Sequence, residues 1–273
     1  MKRCGIKITV NKWKVKNLLS EHWHTCGIKQ GDVLLVHSDL TRLLFVIYKK
    51  HGFMATPQTI YDSLLLALGD EGTLVLPLFN FDFPNTKFFD IRNTPSHMGV
   101  LTEIGRNDPR SIRTGHPIYS FSIVGKQAKE FQGIDNYSGY GADSPFAKIK
   151  ELDGKIAIIG LTDQYSMTSY HFVEEQNRVD YRYFKEFKGT YIDSDGKSAE
   201  KTYALYVRDL ERGVTTDLDR MMEYLWQAGF YKGERPEEGY GMRTIKMRDF
   251  YDQTEKIIRS GEAINYLYSI QKN

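Results

Sequence analysis

At 273 residues with an apolar fraction of 41%, the chain is long enough to bury a substantial core, as one large domain or two small ones. Lys and Arg number 37 against 35 Asp and Glu, a formal charge of +2, which is too balanced for a nucleic-acid or membrane surface built on field strength; any charged site is local. The only cysteines, Cys4 and Cys26, form no Cys-x-x-Cys pair, so neither a disulfide framework nor a thiolate zinc site is expected.

The first residues, MKRCGIKITVNKWK, are basic but lack the apolar run of a signal peptide, and no later stretch approaches the roughly 20 apolar residues of a membrane span. A cytoplasmic protein without a membrane partner is expected. No repeat, low-complexity tract or Pro/Ser-rich linker marks a boundary, so residues 1–273 read as one domain. In chain order, Asn11 to Thr25 predicts an amphipathic helix, with Trp13, Val15, Leu18, Leu19 and Trp23 on its apolar stripe and Gly27 beyond its end. Asp32 to His37 is a short apolar run bounded by Gly31, the pattern of a strand buried on both faces. Thr56-Pro57 then opens a helix, since threonine caps free amides and proline suits the first turn, and Ile60, Leu64, Leu65 and Leu68 form its stripe before Gly69.

Thr73 to Pro77, Ile118 to Val124 and Lys155 to Leu161 follow as strands, separated by helical patterns at Met98 to Arg106 and Pro145 to Leu152. This alternation predicts a three-layer α/β/α sandwich. Farther on, Glu186 to Ile192 and Lys201 to Val207 flank Asp193-Ser-Asp-Gly196, a turn that joins antiparallel strands, so the central sheet is expected to be mixed and residues 178–212 to form a hairpin-containing excursion. Thr216 to Ala228 predicts a helix with Thr216 as N-cap and Leu218, Met221, Met222, Leu225 and Trp226 inward. A last helix is expected from Arg248 to Tyr268.

Four segments set polar residues at the ends of apolar elements, where a rigid scaffold borders a cleft. In Val36-His37-Ser38-Asp39-Leu40 a histidine and a hydroxyl end a buried strand, although a lone histidine there more often serves the fold. Ser96-His97-Met98-Gly99 leads into a helix with Glu103 and Arg106, and reads first as a plain capped helix, with an anion-receiving terminus as the rival. Arg113-Thr114-Gly115-His116-Pro117-Ile118-Tyr119-Ser120 packs a guanidinium, an imidazole and hydroxyls around a turn; arginine's planar fork suits a phosphate or a carbonyl oxygen, and chance clustering competes. In the fourth, Thr168, His171 and Glu174 lie three apart, so on a helix they stack turn upon turn. A carboxylate on one ring nitrogen of a histidine fixes the tautomer and raises the basicity of the other nitrogen, although such pairs also occur on exposed helices.

Together these segments resemble the aminoglycoside 3-N-acetyltransferase family. Five motifs carry the resemblance in order: His37-Ser38-Asp39-Leu40; Gly72-Thr73-Leu74-Val75-Leu76-Pro77; the Arg113 to Ser120 turn, where Thr114 replaces the usual serine; Gly141-Ala142-Asp143-Ser144-Pro145; and Thr168 through His171 to Glu174. The resemblance covers about Asn11 to Glu175. It implies the family's own α/β fold, distinct from the acetyltransferase fold that grips coenzyme A with a glycine-rich loop, and no Arg/Gln-x-x-Gly-x-Gly segment is present. It further implies acetyl-CoA as cosubstrate, His171 as base with Glu174 and Thr168 beside it, and a thioester and pantetheine site bordered by His37, Ser38, Arg113, Thr114, His116 and Ser120.

A thioester is already activated, so such an enzyme must only hold the amine, deprotonate it and stabilise the oxyanion. No metal is needed. For the acceptor, a polycationic aminoglycoside calls for carboxylates, of which Asp82, Asp180, Asp217, Asp219 and Glu223 are scattered candidates. The stretch Asp180-Tyr-Arg-Tyr-Phe-Lys185 interleaves aromatics and cations, which fits side chains snorkelling around a core edge somewhat better than a ligand site; as a site it suits a nucleotide-linked biosynthetic amino sugar, the favoured acceptor, with an aminoglycoside and antibiotic resistance close behind. Two rivals stand beside this reading: a hydrolase holding a divalent metal on His37, His116, His171 and Glu174, and a non-catalytic binding protein of the same fold. The sequence leaves the oligomeric state open.

Overall fold

A computed structural model describes residues 5–52 and 54–271, with side chains from Trp13 onward; Cys4 lies outside the described residues. The chain opens with α1 (Gly5–Thr25), β1 (Val33–Ser38), α2 (Leu40–His51), α3 (Pro57–Leu68) and β2 (Thr73–Pro77). A short α4 (Phe83–Thr86) and β3 (Phe88–Asp90) precede α5 (Val100–Arg106), β4 (Ile112–Arg113) and β5 (Phe121–Gly125). Then come α6 (Pro145–Glu151), β6 (Lys155–Ile159) and α7 (Ser169–Gln176), followed by the long strands β7 (Arg182–Ile192) and β8 (Ser198–Arg208). The chain closes with β9 (Val214–Thr216), α8 (Asp219–Gln227), β10 (Lys232–Gly233), β11 (Met242–Lys246), α9 (Met247–Arg259), α10 (Ala263–Tyr266) and β12 (Tyr268–Ile270).

The main sheet runs β10-β11-β6-β1-β2-β5-β4. Its centre, β6-β1-β2, is parallel, and the flanking strands β11 and β5 pair antiparallel to it, giving the mixed sheet expected. Because strand residues alternate between faces, each central strand feeds two cores. Leu34, Val36, Leu74, Leu76, Ala157 and Ile159 pack with Leu19, Trp23, Leu43 and Leu64 of α1, α2 and α3. Their neighbours Leu35, Val75, Ile156 and Ile158 pack on the other side with Phe146, Tyr170, Val173, Leu225 and Phe250 of α6 to α9. Those are the three layers. The hairpin β7-β8, with β3 parallel to β7, forms a separate sheet around Phe83, Phe89, Phe187, Tyr191 and Tyr203.

Local chemistry explains most element boundaries. The Thr56 hydroxyl accepts from the Thr59 amide in a capping box with Pro57 in the first turn, and Gly69 ends α3 at φ 65°. The Asp39 carboxylate caps α2, and Ser144 caps α6. Three expectations needed correction. Trp13 is exposed, so only Val15, Leu19 and Trp23 of the expected stripe are buried. Thr216 caps no helix: it ends β9, paired with Tyr268, and α8 starts at Asp219. The expected final helix stops at Arg259, because Gly261 takes a left-handed turn (φ 80°) before α10. Among the described residues no helix is long and apolar enough to cross a membrane.

Candidate active site

Gly160 turns the chain beyond β6 at φ 67°, and a Cβ there would meet the Asp39 carbonyl at 2.6 Å, so only glycine fits. The segment that follows, residues 161–165, is pinned from beneath by an ion pair. Arg243 Nη2 of β11 lies 2.8 Å from Asp163 Oδ1, with both side chains fully buried. Arg243 also donates to the Leu161 carbonyl, and the hydroxyls of Tyr170 and Tyr231 donate to Asp163. The pinned segment contributes to two openings. Gln164 lines a cavity of about 540 Å³ with Tyr119, Tyr140, His171 and residues of the hairpin. Leu161 and Tyr165 line a cleft of about 500 Å³ with His37, Ser38 and residues 97–102.

The expected helix around His171 is α7, and His171 Nδ1 lies 2.7 Å from Glu174 Oε2. That contact commits Nδ1 and leaves Nε2 for a ligand. Glu174 is 1% exposed and also meets Arg182 Nε of β7 at 2.7 Å. Arg182, itself buried, donates through Nη1 to the Tyr206 carbonyl. Burial pushes the Glu174 carboxyl up, but the Arg182 charge and the His171 bond outweigh it, and the net shift is downward. Glu174 therefore stays ionised. Burial, helped by the Arg182 and Arg208 charges and opposed by Glu174, holds His171 below its ordinary pKa, so at neutral pH it is an uncharged base. The ring is held edge-on against Tyr140, with centroids 5.4 Å apart. The neighbouring carboxylate, Glu175, accepts instead from Ser138 and is raised by burial. Thr168 stands at the N-terminal end of α7, half-buried, and its hydroxyl forms no capping bond.

The other expected residues divide. His37 and Ser38 reach the second cleft; His37 is buried, its Nε2 has no partner among the described residues, and burial together with repulsion from Arg243 pushes it down to about 4. The Arg113 to Ser120 turn is bonded to itself. His116 Nδ1 accepts from the amides of Ile118 and Tyr119, Thr114 accepts from the Phe121 amide, and Arg113 bonds the carbonyls of Ile91 and Thr94 and the Ser120 hydroxyl. Thr114, His116 and Ser120 are fully buried, so these side chains build the turn that carries Tyr119 to the first cavity.

The four groups of the metal reading are not brought together. His37 and His171 line different openings, and His116 is locked in its turn. Among the described residues, the metal-competent group whose ligand atoms lie within 4.8 Å of one another is His22, Cys26 and Glu234, elsewhere in the fold. Nor do the five scattered carboxylates line the cavity beside His171: Asp82 pairs with His97, Asp180 with Arg212 and Glu223 with Arg235. Residues that sequence reasoning missed are Arg182 in its role against Glu174, Asp163 and Arg243.

Residues 35–259 match the model of a family described as aminoglycoside 3-N-acetyltransferase. The chain belongs to this family. The acyltransferase class expected from the five ordered motifs therefore holds. An aminoglycoside N(3')-acetyltransferase-like protein, YokD, from the SPbeta prophage of Bacillus subtilis strain 168 is 26% identical over 70% of this chain and 74% of its own length. Aminoglycoside N(3)-acetyltransferase IV of a Salmonella species is 27% identical over 62% of each chain, so the match spans less than two thirds of that relative. Among solved structures, AAC-IIIb, in a binary complex with CoASH, superposes with a TM-score of 0.74 at 18% identity, over 90% of this chain and 96% of the other. At that identity the likeness speaks for the fold.

Proposed function

We propose that the protein transfers the acetyl group of acetyl-CoA to an amine of an amino sugar, with His171 as general base. The observation that carries this reading is the 2.7 Å contact of His171 Nδ1 with a buried, ionised Glu174 on the wall of an open cavity. Glu174 fixes the proton on Nδ1, so Nε2 presents its lone pair to the acceptor amine. As the amine nitrogen bonds to the thioester carbonyl carbon, its proton passes to Nε2 and Glu174 stabilises the imidazolium. Collapse of the tetrahedral intermediate breaks the carbon–sulfur bond, and the coenzyme A thiolate leaves and takes up a proton. The Thr168 hydroxyl, free of any capping bond, or a nearby backbone amide supplies the oxyanion donor.

The cleft with His37 and Ser38 suits the pantetheine arm, from which the thioester reaches past residues 161–165 to the amine at His171. Arg113, Thr114, His116 and Ser120 support the site by holding the turn under Tyr119. The relatives' names point to aminoglycosides as acceptors; the aromatic and cationic hairpin favours a nucleotide-linked amino sugar. The test is release of free thiol from acetyl-CoA in the presence of amino sugars of both kinds. His171→Ala is expected to lower turnover by about 10² to 10⁴. Near wild-type turnover by that variant would sink the reading, and no thiol with any amine would favour a non-catalytic binding protein.

A further inference from the structure

The cavity beside His171 carries uncompensated positive charge. Among the described residues no aspartate or glutamate lines it, whereas Arg182, Lys185 and Arg208 do. Arg182 is neutralised by Glu174. Lys185 and Arg208 make no ion pair with a carboxylate among the described residues, and Arg208 is close enough for its charge to act on His171. Strand register also sets Arg208 directly opposite Arg182 on the hairpin. Glu174 serves Arg182, so the carboxylate that answers one member of this cross-strand pair leaves the charge of Arg208 without one. The same wall carries Tyr119, Tyr140, Tyr183 and Phe187, of which Tyr183 is exposed.

Resting on the acetyl transfer proposed above, we infer that the acceptor is a phosphorylated amino sugar, drawn into the cavity by the charges of Arg208 and Lys185 and presenting its amine at His171. Arginine grips phosphate through two parallel hydrogen bonds, and lysine adds a mobile point charge. The exposed Tyr183 ring can stack on the sugar ring or on an attached base. A polycation such as an aminoglycoside, by contrast, meets two unpaired cations and no carboxylate. A sugar monophosphate and a nucleotide diphosphate sugar share this chemistry.

The experiment compares glucosamine 6-phosphate, UDP-glucosamine, unphosphorylated glucosamine and kanamycin as acceptors, following thiol release. A phosphorylated acceptor is expected to exceed glucosamine and kanamycin at least about tenfold in kcat/KM, and the better of the two identifies the phosphate source. Lys185→Gln, at an exposed position, and Arg208→Gln are each expected to raise the acceptor KM about tenfold, the scale of one lost charge-assisted hydrogen bond, with Arg208→Lys recovering part of the loss. The KM for acetyl-CoA should stay unchanged. Preference for kanamycin overturns the inference. So does a rise in the acetyl-CoA KM alone, which would give the two cations to the coenzyme's own phosphates. If no amine releases thiol, the transfer reading fails, and equilibrium binding in saturating coenzyme A decides the charge inference: glucosamine 6-phosphate bound in preference to kanamycin supports it, and the reverse overturns it.

Discussion

Two buried ion pairs lie near the pinned segment, and they differ in what surrounds them. Asp163 and Arg243 are closed on all sides: the carboxylate accepts from two tyrosine hydroxyls as well as the guanidinium, and neither side chain has any exposure. Glu174 and Arg182 are nearly as deeply buried, but Glu174 also meets an imidazole that opens onto a cavity. Desolvation makes both pairs costly to break. Burial therefore does not separate a structural pair from the one proposed to act in catalysis; an unused nitrogen at its end does.

That contrast is open to test. The largest effect is expected from His171→Ala, which should cut kcat about 10² to 10⁴ while leaving the melting temperature near that of the parent. Asp163→Ala should do the reverse, destabilising the fold by roughly 3–5 kcal/mol in denaturant titration, because Arg243 is left as an uncompensated buried charge. Acid is a gentler probe. His37 and His116 are pushed down to about 4 by burial, so below pH 6.5 the unfolded chain binds protons that the folded chain does not. Stability should be complete above pH 6.5 and fall towards pH 4, by up to roughly 3 kcal/mol for each residue. His116→Asn, measured alongside the parent from pH 7 to pH 4, should flatten that slope. Glu174→Gln sharpens the comparison further: it should lower kcat about 10- to 100-fold as well as stability, and adding Arg182→Met should restore stability without restoring kcat. The smallest effect concerns pH and rate. Because His171 sits below its ordinary pKa, the acid limb of kcat/KM should lie below pH 6.5, and Arg208→Gln should move it upward.

Much of this was legible in the sequence where chemistry is local. Thr56-Pro57 and Gly69 bracket a helix through the groups that satisfy its ends, and the apolar runs of β1, β2 and β6 announce strands covered on both faces. His171 and Glu174 were readable because one helical turn brings them together. What was not readable depends on distant partners. Arg243 finds Asp163 across 80 positions, and Arg182 reads as a surface cation until the hairpin folds it onto Glu174. The Arg113 to Ser120 turn shows the opposite failure. Its residues have the right types for a ligand, yet the backbone nearby takes up most of their bonds.

The segment after Gly160 gives both openings a common wall, with Gln164 on one and Leu161 and Tyr165 on the other. If the proposed direct attack holds, the thioester must reach past this segment to His171, so donor and acceptor must be present at the same moment, each pressing on the same few residues. Kinetics should follow a ternary-complex pattern, with intersecting rather than parallel reciprocal plots.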